Sequence, residues 1–164
     1  MADLTKLESK LGEVTGLAMA AQAATKKVRT LAREEGEPVQ ALLEKMHDEA
    51  AETERRCTEL AGSFEGKKTA ILEEASSVRA KGAEMMSTYL DEDSETLDGF
   101  EFLTTAEAGE VGHWSILKTL SQKAGSNELT ALVAWALPIQ ERHYADVTGT
   151  SLKLASEVDP NEPA

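Results

Sequence analysis

Long runs of apolar residues spaced three and four apart dominate this chain. The strong breaks between them are few: Gly36 with Pro38, Gly62 to Gly66, the acidic stretch Leu90 to Gly99, and Gly125-Ser126-Asn127. This spacing gathers apolar residues on one face of a helix, whereas a half-buried strand needs strict alternation. The chain is therefore expected to be all-α. Leu7, Leu11, Val14, Ala18, Ala21, Val28 and Ala32 mark a first helix from about Leu4 to Gly36. Gly36 can take the left-handed cap conformation there, and Pro38 suits the start of the next helix. Val39, Leu42, Leu43, Met46, Ala50, Thr53, Cys57 and Leu60 give a second helix from Pro38 to Ala61. A weaker periodicity (Ile71, Ala75, Val78, Met85) predicts a third over Lys67 to Tyr89, read as a crossover element, followed by a polar loop over Leu90 to Gly99. Two more helices are expected over Phe102 to Ala124 and Glu128 to Ser156, with Gly125-Ser126-Asn127 capping both.

At 164 residues and 41% hydrophobic content the chain suits one domain, expected over residues 1–158, with a disordered tail at 159–164. The net charge of −13 opposes binding to nucleic acid phosphates or anionic lipid, and the nearest basic cluster, Lys26-Lys27-Val28-Arg29, fits the C-terminal half of a helix. Cys57 is the single cysteine; it falls on the apolar stripe of the second helix, as a buried residue in a reduced, cytoplasmic protein would. No apolar run approaches the roughly 18 residues of a membrane span, and the N-terminal segment is too charged for a signal peptide. A phosphate-binding glycine loop, a Gly-x-Ser-x-Gly elbow and a His-Glu-x-x-His pair are all absent, which leaves hydrolase and nucleotide-binding readings without support.

Two helical hairpins joined by a long crossover are the topology of a ferritin-like four-helix bundle, here with an extra helix in the crossover. An internal repeat points the same way. Gly12-Glu13-Val14 recurs as Gly109-Glu110-Val111, and Glu44 follows the first copy at the same separation as Glu141 follows the second. One acid on each of four helices is the layout of a dinuclear metal site. Glu44 and His47 form Glu-x-x-His, as do Glu110 and His113, and residues three apart share a helix face. The last helix offers two registers: Gln140 with His143, or Glu141 with Tyr144, and the repeat spacing favours Glu141. Glu49 and Glu52 flank the second-helix stripe, so a slipped register makes either of them the ligand instead of Glu44. Gly12 and Gly16 beside Glu13, and Gly109 and Gly112 beside Glu110, each cost about 0.5–1 kcal/mol in a helix. Close helix approach around a small site, or packing against Trp114 or Trp135, would compensate.

The segment Glu107 to Gly125 resembles the third bundle helix of the bacterial YciE/YciF-type ferritin-like proteins, with Glu107 and Glu110 matching its two acids. The chain departs from that pattern at Ala108, where the family carries histidine, and at Gln140-Glu141, where it carries an acidic pair. The resemblance implies a ferritin-like bundle, a homodimer, iron binding and an association with stress responses. Two functions follow as expectations. One is a carboxylate protein holding two iron or manganese ions between Glu13, Glu44, His47, Glu110 and Glu141, completed by His113 or His143, and handling iron, oxygen or peroxide. The other is a metal-free bundle serving as a structural or partner-binding module.

Overall fold

The computed structural model describes residues 2–163, so Met1 and Ala164, the outer ends of the expected domain and tail, lie outside the described residues. Those residues form five helices and no strand: α1 (Lys6–Leu31), α2 (Glu37–Ala61), α3 (Lys68–Tyr89), α4 (Thr96–Ala124) and α5 (Asn127–Glu157). The all-α expectation holds. α1 packs on α2, α3 and α4, while α5 packs on α4 and α2. None of the helices is long and apolar enough to cross a membrane.

Local chemistry sets the helix ends, and it moves two of them from where the sequence placed them. Thr5 and Glu8 cap α1 reciprocally: Thr5 Oγ1 accepts from the Glu8 amide at 3.2 Å, and Glu8 Oε2 accepts from the Thr5 amide at 2.7 Å. Gly36 does not take the left-handed conformation. It is extended (φ −66°, ψ 167°) and serves as the N-cap of α2, with Pro38 in the first turn. α4 starts at Thr96 and so takes in the last four residues of the expected Leu90 to Gly99 loop. Asp98 Oδ2 accepts from the Glu95 amide at 2.7 Å, and this acidic cap, read in the sequence only as loop polarity, nucleates the helix. Gly125 does terminate α4 in the left-handed region (φ 66°), and Ser126 caps α5. Pro138 sits inside α5 at an exposed position, so the carbonyl it frees, on exposed Ala134, can be solvated.

Two apolar clusters fill the bundle. One gathers Leu11, Val14, Cys57, Ile71, Trp114, Leu117 and Leu129; the other gathers Val28, Leu43, Met46, Phe100, Leu103 and Val147. Between them lies a layer of buried polar residues from all four helices that surround it: Thr15 on α1, Thr53 on α2, Glu107 and Glu110 on α4, Gln140 and His143 on α5. The third helix stands outside this layer. It packs along α1, where Gly12 and Gly16 let the two backbones approach: a Cβ on Gly16 would lie 2.4 Å from the Ala75 carbonyl oxygen, and one on Gly12 would lie 2.8 Å from that of Ile71. These two glycines therefore serve helix packing, away from any site. Gly109 and Gly112 face open space.

Candidate functional site

A carboxylate loses its hydration on burial and must find partners inside the protein. Glu107 and Glu110 are 1% and 3% exposed, and they stand one turn apart on α4, so the helix itself forces two acids into the same layer. Gln140 answers from α5. The surrounding acceptors fix its amide orientation, and its Nε2 donates to Glu107 Oε2 at 3.1 Å and to Glu110 Oε2 at 3.0 Å. Like charges this close favour keeping one proton between them. Burial first, and the Glu107 charge second, hold the Glu110 carboxyl well above the ordinary carboxylate value of 4.5.

His143 lies one turn beyond Gln140 and meets an acid on each side. Its Nε2 is 2.7 Å from Glu49 Oε2, and its Nδ1 is 3.5 Å from Glu107 Oε2. Burial alone would lower the imidazole's pKa, but hydrogen bonding and charge from Glu107 and Glu49 outweigh it and raise the pKa. Glu49 is also held by Arg142 at 2.7 Å. Desolvation opposes ionisation of its carboxyl, yet the bonds to Arg142 and His143 lower its pKa. The layer thus runs from the half-buried α2 flank at Glu49, through His143 and Glu107, to Gln140 and Glu110. Cys57 borders it; burial pushes its thiol up to about 12, so it is inert at neutral pH.

Of the seven candidate ligands, only Glu110 and His143 share this layer. Glu44 is exposed, 3.7 Å from Arg29. His47 sits near the surface with Asp48 at 3.3 Å. Glu13 and His113 meet at 3.2 Å, with Lys10 bonded to both, on the α1–α4 flank. Glu141 and Tyr144 are exposed, whereas Gln140 and His143 point inward, so α5 takes the register that the repeat spacing disfavoured. On α2 the slipped register is the occupied one, through Glu49 in place of Glu44.

The burial pattern explains why the repeat misleads. Leu11 and Val14 on α1 hold the inward positions that Glu107 and Glu110 hold on α4, so the Gly-Glu-Val match is one residue out of step with the packing. One residue rotates a side chain by about 100°, enough to carry Glu13 off the inward face. Glu107, the acid the spacing argument passed over, was flagged by the family resemblance. Glu49 is the slipped-register alternative that its position on the flank of the α2 stripe offers in the sequence.

Among the described residues, no three His, Cys, Asp or Glu side chains already surround one ion position. Comparison with family models, curated proteins and solved structures found no match to the chain.

The layer's titration can be read from stability. A carboxyl whose folded pKa is raised binds its proton more tightly in the native state. Its contribution is therefore lost as pH rises from the unfolded value near 4.5 through the folded value. Glu110→Gln keeps the shape and removes the titration. In metal-free buffer the variant should gain stability relative to the wild type as pH rises above about 4.5, measured by urea unfolding at a series of pH values. A constant difference across that range would mean that Glu110 does not retain its proton.

Proposed function

We propose that this protein is a ferritin-like helical bundle that binds one divalent iron or manganese ion in the buried layer, through Glu107, Glu110 and His143. The observation that carries the reading is the setting of His143. Its Nε2–H is anchored by Glu49, the arrangement by which a carboxylate orients a metal-binding imidazole, while its Nδ1 faces Glu107 at 3.5 Å, a looser pairing that a bound ion would replace. Two carboxylates and an imidazole suit Mn(II) and Fe(II). The packing of α1 on α2 and α4 and of α5 on α4 and α2, with α3 lying on α1, supports the ferritin-like reading.

A second ion does not fit this donor set. On α1 the inward polar residue is Thr15, whose hydroxyl donates to the Leu11 carbonyl at 2.6 Å, and on α2 Thr53 likewise donates to the Glu49 carbonyl at 2.8 Å. α1 supplies no acid to the layer. A bound ion would supply Lewis acidity or a redox centre. The residues themselves would hold it, neutralise its charge and release protons from Glu110 and from Nδ1 of His143 as it enters. Gln140 marks where a third carboxylate is missing.

That substitution gives the test. In chelator, Gln140→Glu should be less stable than the wild type, because three acids then crowd one buried layer. With Mn(II) or Fe(II) the midpoint of thermal unfolding should rise in both proteins, and further in Gln140→Glu, since a ligand that binds only the native state raises its stability. No rise in either protein supports the other reading, a metal-free module. The bonds that Gln140, Glu49 and Arg142 already make to the buried acids and histidine favour that reading.

A further inference from the structure

The two acids of the buried layer also form part of a cleft. α3 and α4 both pack on α1 but hardly meet each other. Between them opens a cavity of about 340 Å³ whose walls are apolar: Leu17 and Ala21 on α1, Val78 and Met85 on α3, Leu103 and Ala106 on α4. Glu107 and Glu110 lie in its lining. Sites for small molecules have this character, at roughly 300–1,000 Å³ with few polar groups in a hydrophobic wall.

From this juxtaposition we infer that the cleft is a binding site for an apolar molecule carrying a protonated amine, with the amine placed against Glu107 and Glu110. Gln140 bonds only the Oε2 atom of each acid, and among the described residues no hydrogen bond is made to either Oε1, so each cavity-lining carboxyl has an acceptor left over. An ammonium group is a compact charge with three donors, matched to two carboxyl oxygens. The apolar body would cover the small side chains of α1 and the half-exposed Met85, which is 49% exposed at the lip. The protein's net charge of −13 concentrates cations at its surface. The remaining charged groups at the cleft are Lys81 on exposed α3 surface and His113 at the end near Glu13. Lys81 would be the anchor for the opposite class, a carboxylate headed outward.

Three probes of equal chain length separate these cases: decylammonium, decanol and decanoate, titrated calorimetrically into the protein in chelator at neutral pH. Decylammonium should bind with one-to-one stoichiometry and at least tenfold more tightly than the other two. Glu110→Gln, which is isosteric, should erase that preference, and Ala21→Phe, which fills the cleft, should abolish binding of all three. Equal affinities, or tighter decanoate, would overturn the inference, as would decylammonium binding that survives both substitutions. The head-group comparison in the wild type decides the question even if Ala21→Phe fails to fold. Because the titration is run without metal, it stands or falls separately from the ion-binding reading.

Discussion

Replacing His143 with leucine should destabilise the protein by about 3–5 kcal/mol, the cost of removing one partner from a buried ion pair. The side chain is 2% exposed and stands between Glu49 and Glu107. Leucine fills comparable space, so the loss is electrostatic more than steric. Glu107 would face Glu110 with no cation beside it, and both would have to take protons or draw in water. For a chain of this size the thermal midpoint should fall by roughly 6–20 °C. The pair can be separated from the individual residues by a double-mutant cycle. Glu107→Leu combined with His143→Leu should cost clearly less than the sum of the two single changes, because an apolar replacement of both partners leaves no orphaned charge. Additive costs would show that His143 and Glu107 do not depend on each other.

The second large effect lies away from the site. Gly16→Val places its Cβ where the Ala75 carbonyl oxygen is 2.4 Å away and the Val78 Cβ 2.7 Å away. A backbone carbonyl cannot turn aside as a flexible side chain can, so α3 itself must move. Overpacking a tight contact costs about 1–3 kcal/mol and sometimes more, and α3 has little to resist with, since only Ala70, Ile71 and Ala75 on it are buried. The expected result is a loss of about 3 kcal/mol, with rapid proteolysis inside Lys68–Tyr89 under conditions where the wild type resists. Gly109→Ala is the contrast. Its Cβ meets nothing within 4 Å, so it should stabilise α4 by about 0.5–1 kcal/mol. Equal effects at the two glycines would contradict the close α1–α3 approach.

The helices were legible because their signals are local. Apolar stripes such as Leu43, Met46, Ala50, Thr53 and Cys57 appear in the structure as a buried face of α2, and Gly125 with Ser126 punctuates α4 and α5 where glycine and serine chemistry requires. The early start of α4 was missed because an acidic cap and an acidic loop have the same composition; only the reciprocal bonding of Glu95 and Asp98 tells them apart. The site was less legible. Acids on a helix carry no mark of which face will be buried, and the choice between Glu141 and Gln140 turns on a single residue of register. The repeated tripeptide pointed to the wrong one. Packing settled it, because Ala136, Gln140, His143 and Val147 form the inward stripe of α5. A glutamine there invites being passed over as a weak ligand, whereas in the fold it is the group that holds two buried acids together.

The proposed site takes up one divalent ion. Equilibrium dialysis against Mn(II), with metal counted per chain, measures it directly. One ion per chain is expected, lost in Glu110→Gln and in His143→Leu but retained in Glu44→Ala and Glu141→Ala, whose side chains lie outside the layer. No retained manganese in the wild type, or occupancy that follows Glu44 and Glu141 instead, would contradict it.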